Sequence, residues 1–521
     1  MMKKLISFAA ILLAAVMIAA CANGGNGEAV PAATPAPGAP AEAAPPAAPG
    51  DGEIHQLVLA MMTWTLPDDT QLIEDAMNEI LIPRYGIQIE LLVMDSAAYQ
   101  QNIRLMLTAG EQIDVMSSLM LTFPTLQMQG FLLDLEYNGL MANFGAGIPD
   151  AVGREFLDGA RIGGTLYGVP TNVDHAVGRG AFVVGTHFLE EIGFPVPYPN
   201  NDVIRISLSE FEDILHQINE AFSDIETIRP VIPGNLAHFM AHDPLGAGQF
   251  GVLLDPENSL VVENLFESQL FYDFVSMTRR WNQAGLIGAD AGIDTTPVVA
   301  LKQAGRIASY FTGGRPGIVR QESGLTAMPV TVLQTGPDLM HSNAAARFPW
   351  VIPYTTVNPE LAMTLMNAIF TCPELSNILI WGIEGVHYEL QPSGHIDFPA
   401  GLDAASSGWH NGVNWAMPNQ FITHVWAGDD LDLYDQFGDF NQNAVRSIAF
   451  GFIFNPENVQ TEWTAVTNVF EELIPGLGFG HVDPAVGIPE LNSRLFAAGL
   501  QRIIDEKQAQ LDAWAIAAGI N

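Results

Sequence analysis

Between residues 56 and 116 the spacing of apolar residues changes period four times, and this alternation limits the fold more than any other feature of the chain. Residues 56–62 form an apolar run of strand length. Residues 69–82 carry Leu72, Ile73, Ala76, Met77 and Ile80 at helical spacing, and Pro83 and Gly86 are expected to stop that helix. Residues 87–93 place Ile87, Ile89, Leu91 and Val93 on one face of a strand. Residues 97–109 read as a helix and 113–116 as a short strand. A β-α-β-α-β order predicts a largely parallel sheet covered by helices. Such sheets take ligands in the loops beyond the carboxyl ends of their strands. That singles out Thr63-Trp64-Thr65-Leu66 and Ser117-Ser118-Leu119.

A second section of the same kind begins near Gly168. It holds a strand at 181–184, a helix at 209–222 and a helix at 268–284. Ser209, with Glu212 three residues on, fits a capping box for the first of these helices. A strand at 306–311 leads into Thr312-Gly313-Gly314-Arg315, and Pro359 suits the first turn of a helix at 359–370. The chain ends in a helical pattern over 491–518, expected to bend at Gly499. At 521 residues there is room for two or three domains, and 48% apolar residues exclude disorder for most of the length.

The charge balance excludes some partners. Lys and Arg number 20 against 58 Asp and Glu, a formal net charge of −38. The only lysines are Lys3, Lys4, Lys302 and Lys507. Such a surface repels phosphate backbones and anionic head groups, which argues against a nucleic-acid partner and against direct adsorption to a membrane.

The first residues read as an address. Lys3 and Lys4 precede an apolar or small-residue run at 5–20, closed by Ile18-Ala19-Ala20-Cys21. This is the pattern of a secretory leader, and the run is short for a spanning helix. The tetrad resembles the bacterial lipobox. That resemblance implies a signal peptide cleaved before Cys21, with diacylglycerol on the Cys21 sulfur; two or three acyl chains anchor a protein durably. Residues 22–52, rich in Ala, Pro and Gly, read as a disordered tether. The expectation is a soluble body held to the cell membrane only by lipid and facing the extracellular side. Cys372, the second of two cysteines, ends an apolar helical pattern and is expected in the core, so no disulfide scaffold is implied.

Several segments carry a family resemblance. They are Leu166-Tyr167-Gly168-Val169-Pro170, Phe348-Pro349-Trp350-Val351-Ile352-Pro353 and Asn358-Pro359-Glu360-Leu361-Ala362-Met363. More specific are Trp381-Gly382-Ile383-Glu384-Gly385-Val386-His387-Tyr388 and Asn419-Gln420-Phe421, with Gly451-Phe452-Ile453-Phe454-Asn455-Pro456 opening the final stretch. Together they resemble the extracellular solute-binding lipoproteins of bacterial ABC importers, family 1 carbohydrate type, in the branch loosely called LplA-like, which ends in an uncharacterised module. Asn455 stands where relatives often carry Asp. The resemblance covers residue 56 to the end and implies an α/β, two-lobed periplasmic-binding-protein-like fold of the Venus flytrap kind, with hinge-crossing segments and a mostly helical C-terminal module. On that basis crossings are expected near 168–172, 317–328 and 346–354. Lobe 1 is expected at 53–168 plus 325–346, lobe 2 at 170–320 plus 350–445, and the module, 446–521, packed on lobe 2.

The same resemblance implies a non-catalytic, monomeric receptor without a cofactor. It captures a carbohydrate, most simply an oligosaccharide, by lobe closure and delivers it to ABC permease subunits driven by a cytoplasmic ATPase. The residues alone leave three alternatives open: a binding protein for a non-sugar solute such as a peptide, a surface glycan hydrolase, or an adhesin.

Sugar sites need flat aromatics under ring faces and Asp, Glu, Asn, Gln or Arg at hydroxyl rims. Five of nine tryptophans (Trp350, Trp381, Trp409, Trp415, Trp426) fall between 350 and 426, with Glu384, His387, Tyr388, Asn411, Asn414 and Asn419 among them. Core packing competes for each tryptophan. Trp64, in a polar loop, has less reason to be buried. Asn172 and Asp174 follow the first expected crossing. The resemblance places ligand contacts at Ser117, Ser118 and Arg315. The candidate ligand set is therefore Trp64, Ser117, Ser118, Asn172, Asp174, Arg315, Trp350, Trp381, Glu384 and Asn419. No metal site is expected. His238 and His242 lack the Glu of a zincin, and the acidic run Asp429, Asp430, Asp432, Asp435 and Asp439 does not match an EF-hand loop.

Overall fold

The computed structural model describes residues 53–230, 236–246, 248–410 and 412–520. The leader, Cys21, the tether and Asn411 lie outside the described residues. Among those described, no helix is long and apolar enough to cross a membrane.

The opening alternation folds as its periods require. β1 (His55–Thr63) and β2 (Ile87–Asp95) pair in parallel with Leu57 opposite Ile89 and Leu59 opposite Leu91. β3 (Val115–Ser117) lies parallel on the other side of β1. Between them, α1 (Thr70–Tyr85) buries Ile73, Met77 and Leu81, and α2 (Ser96–Ala109) buries Tyr99, Ile103 and Leu107. Pro83 does not end α1. It sits in the last turn, and the helix closes on Gly86, whose left-handed backbone (φ 67°) lets its N–H reach the Ile82 carbonyl at 3.0 Å. Beyond β3 the sheet adds Trp350–Val351 and Gly168–Val169, both antiparallel, in the order β2-β1-β3-Trp350–Val351-Gly168–Val169.

Among the described residues the second sheet has seven strands and is mixed. Its centre, Val177–Gly185, pairs antiparallel with Ile307–Gly314, Val330–Gln334 and Asp338–Met340. The parallel expectation thus holds for the first three strands of the first sheet and not here. The helix at Leu208–Ala221 is capped two residues earlier than its sequence suggests. Ser207, not Ser209, caps it, and Glu210 completes the box.

Among the described residues the chain crosses between the sheets three times, at 169–177, 340–350 and 417–445. Two sequence expectations are corrected by this routing. Residues 317–328 are not a crossing. They form the helix Ile318–Thr326, and a left-handed Ala327 (φ 54°) turns the chain straight into Val330–Gln334 of the same sheet. Residues 325–346 therefore pack mostly with the second sheet, not in lobe 1. Conversely, Trp350, Leu361, Phe370, Leu379, Trp409 and Met417 share the core of β1, α1 and β3, so residues 350–417 build lobe 1.

The crossings are zipped together. Asn172 N–H donates to the Pro418 carbonyl at 2.8 Å, and Gln420 N–H donates back to the Asn172 carbonyl at 3.0 Å. The Asn441 side chain accepts from His175 N–H (2.7 Å) and Ala176 N–H (3.0 Å) and donates to the Val173 carbonyl (2.8 Å).

The C-terminal helices Gln460–Gly478, Pro484–Ala498 and Leu500–Ala518 pack on the second sheet's side. Val466, Phe470, Leu491, Leu495, Ile503 and Leu511 join one core with Phe250, Phe266, Phe271 and Phe274. Gly499 (φ 108°) breaks the terminal pattern into two helices rather than bending one. Lys507 is fully buried and donates to the carbonyls of Pro244 (2.8 Å) and Gly251 (2.9 Å).

Candidate ligand cleft

A cleft of about 390 Å³ opens where the first two crossings pass between the sheets. Its floor is Thr171 and Val173–Val177 of the first crossing. Ala344, Arg347 and Phe348 come from the second crossing, and Trp415 from the first lobe. The second lobe supplies His238, Thr312, Gly313, Arg315, Ile318 and Gln321. Cavities of this size, with an apolar wall and a few polar groups, suit a small ligand or one end of a longer one.

One wall is aromatic. Phe348 and Trp415 meet edge to face, with ring centroids 5.0 Å apart and planes at 68°. The Arg347 guanidinium carbon lies 4.9 Å from the Phe348 centroid. Facing this wall, Arg315 Nη1 pairs with Asp174 Oδ2 at 3.2 Å, and its Nη2 donates to Gln321 Oε1. The glycines before Arg315 make room rather than cradle a ligand. A Cβ at Gly314 would stand 2.1 Å from Gln334 Oε1, and one at Gly178 2.3 Å from the same atom. Gln334 uses the space to donate to the Gly336 carbonyl and Asp338 Oδ1, both at 2.9 Å.

Of the ten candidate residues, Asp174 and Arg315 line the cleft. Trp64 is half exposed at the end of β1, and its ring covers the backbone at Gly412, three residues from Trp415. The others sit elsewhere. Trp350 is fully buried and donates its indole N–H to the Ala416 carbonyl at 3.0 Å. Trp381 is buried, donates to the His424 carbonyl at 3.1 Å, and packs edge-on against Trp426. Asn419 is buried between the Phe370 carbonyl (2.8 Å) and Asn172 (3.0 Å), so both asparagines serve the crossings. Ser117 and Ser118 are buried at the end of β3, with Ser117 Oγ accepting from Leu119 N–H at 3.2 Å. Glu384 is exposed on the turn 383–388, away from the cleft lining. That turn is structural: His387 accepts from Ile383 N–H at 3.0 Å and contacts Asp69 at 3.2 Å, tying the motif to the start of α1.

Sequence reasoning passed over Arg347, Phe348 and His238 as ligand contacts and left Trp415 undecided among five tryptophans. The available signal was Arg347-Phe348 directly before the returning strand, in a chain with few bases. In the acidic run, Asp429 pairs with Arg320, Asp430 accepts from Asn201 at 3.1 Å and Asp432 from Gln436 at 3.0 Å. Among the described residues, no group of three or more His, Cys, Asp or Glu is placed to hold a metal.

Three histidines near the crossings are held neutral. Burial, reinforced by the Arg347 charge, pushes His175 down to about 4; burial with Arg179 and Arg347 does the same for His238. Burial pushes His242 down to about 3. Unfolded imidazoles take up protons first as pH falls below about 6.5. Stability from these groups is therefore present above that value and is lost as pH falls toward the folded values. At about 1.4 kcal/mol per unit for each of the three groups, we expect a loss on the order of 10 kcal/mol between pH 6.5 and 4. Thermal melts across that range should show a steep fall, with NMR reporting these imidazoles still neutral at pH 5. Imidazoles titrating near 6.5 would contradict this account.

Two sheets, three crossings and a cleft at the crossings make this the fold of two-lobed solute-binding proteins. The chain is 23% identical over 463 residues to a carbohydrate ABC transporter substrate-binding protein of Streptococcus pneumoniae serotype 4, covering 86% of this chain and 88% of that one. The crystal structure of NgtS, an N-glycan transport solute-binding protein of S. pneumoniae, shares the fold with a TM-score of 0.74 at 20% identity, covering 88% of this chain and 98% of that one. NgtS in complex with Man5GlcNAc matches with a TM-score of 0.63 at 21% identity over the same shares. Residues 448–516 match the model of a domain of unknown function, DUF3502. These findings bear out the resemblance to family 1 carbohydrate-type solute-binding proteins with an uncharacterised C-terminal module.

Proposed function

We propose that this protein is the solute-binding component of an ABC importer for a carbohydrate, held outside the cytoplasm by lipid on Cys21, and that it hands an oligosaccharide to its permease. The observation that carries the reading is the cleft itself. An aromatic wall, Phe348 and Trp415, faces polar groups of the second lobe, Arg315, Thr312 and Gln321, across the crossings. A pyranose stacked on Trp415 presents its rim hydroxyls to Arg315, Asp174 and Gln321. A solute touching both lobes favours the closed arrangement by its differential contacts. The similarity to a carbohydrate-type substrate-binding protein and to NgtS supports the same solute class.

Hydrolysis fits less well. Glycosidases set two carboxyl groups about 5–10 Å apart across the scissile bond. Among the described lining residues Asp174 is the sole carboxylate, and Arg315 holds it. The test is a thermal-shift screen of the full chain against mono-, di- and oligosaccharides, with peptides as controls. A sugar at 100 times its Kd is expected to add about 2.7 kcal/mol. Shifts with peptides alone would replace the solute class, and no shift with any sugar would overturn the proposal.

A further inference from the structure

We propose that the sugar taken by the cleft carries an anionic substituent, a carboxylate of the uronic or sialic acid type, and that Arg347 receives it. This rests on the carbohydrate reading above and narrows its substrate class.

The argument starts from charge. In a chain with 20 bases and 58 acids, guanidinium groups readily find carboxylates. Arg84, Arg161, Arg205, Arg280, Arg320 and Arg446 all do so. Arg347 does not. It is exposed to the cleft, stacks on Phe348, and has no hydrogen bond or ion pair among the described residues. The one carboxylate in the lining, Asp174, is already paired with Arg315. His175 and His238 add no charge near neutral pH. The cleft is left with a single uncompensated positive charge in a strongly negative molecule.

That charge outweighs the distant acids for a bound ligand. Charges on the outer surface are screened within about 8 Å at physiological salt, whereas Arg347 acts at contact. A guanidinium resting on an aromatic face keeps its planar donors available and matches a carboxylate bidentately. The neighbouring Trp415 ring offers the apolar seat for the sugar that bears the acid.

The experiment is calorimetric titration of the full chain with uronate- and sialic-acid-terminated oligosaccharides and with their methyl esters, which keep the sugar and remove the charge. Free acids should bind about 30-fold tighter than their esters, the range of a charged hydrogen-bonded contact. Raising salt should narrow the gap. Arg347→Gln should equalise acid and ester while leaving ester affinity within a few-fold of the original. Equal binding of acid and ester by the unaltered chain, or preference for the ester, would overturn this inference and leave the carbohydrate reading standing. An Arg347→Gln variant that weakens both alike would also overturn it. Failure of every acid, ester and neutral glycan to bind would remove both.

Discussion

Removal of residues 446–521 is expected to abolish soluble folded protein, not to leave a trimmed receptor. The C-terminal helices are part of the second lobe's interior. Val459, Val466, Phe470, Ile474, Leu477, Phe479, Leu491, Leu495, Leu500, Ile503 and Leu511 are all buried in the core that holds Phe250, Phe266, Phe271 and Phe274. At roughly 2 kcal/mol for each large buried side chain, the packing lost is on the order of 20 kcal/mol. That exceeds the 5–15 kcal/mol by which whole domains are ordinarily stable. The truncation also leaves the Pro244 and Gly251 carbonyls without the Lys507 ammonium. Expression followed by size-exclusion chromatography and circular dichroism checks this. A monodisperse truncated protein with a cooperative melt would show that the second lobe closes without the module.

Trp415→Ala is expected to weaken glycan binding by about 30-fold or more in Kd, near 2 kcal/mol, because one aromatic platform of this kind dominates a small cleft. Trp415 is also half-buried against Phe348, so part of the effect is repacking of the wall. Trp415→Phe separates the two: it keeps a ring face and should retain most of the affinity. Calorimetry on both variants, alongside thermal melts, reads binding and stability independently. Full affinity in Trp415→Ala would place the sugar elsewhere. If Trp64 extends the platform for a longer glycan, Trp64→Ala should cost affinity for oligosaccharides and spare monosaccharides.

The parts of the fold legible from sequence were those with long, strongly periodic elements. β1, α1, β2, α2 and β3 follow from apolar spacing, because each buries enough residues to impose a period. Lobe membership did not follow. It is decided by two- and three-residue strands such as Gly168–Val169, Trp350–Val351 and Asp338–Met340, which are too short to show a period and whose partners are distant in sequence. The crossing expected at 317–328 came from the family resemblance, yet Arg315-Pro316-Gly317 only lead into the helix Ile318–Thr326 within the second lobe. In the cleft, Asp174 was found from its place after the first expected crossing and Arg315 from the family resemblance. Trp350 and Trp415 could not be told apart, since the same indole fills a core or seats a sugar. The Ala416 carbonyl that accepts from Trp350 is what assigns one to the core. Arg347 carries no binding motif; its place before the returning strand is a weak signal, and its unpaired position in the cleft lining is what marks it in space.

The triple crossing also bears on when the molecule becomes a folded object. Each lobe is stitched from two distant stretches: the first sheet awaits Trp350–Val351, and its core awaits Met417. The second core awaits Leu511, about two turns from the end of the final helix. The first half completes its interior only once Met417 is out and the second only near the end of the chain, and the long sequence separation between partners makes assembly slow. The second lobe in particular stays open until nearly the whole length of the chain is free. That makes the window before closure the period in which proteases and aggregation compete for it.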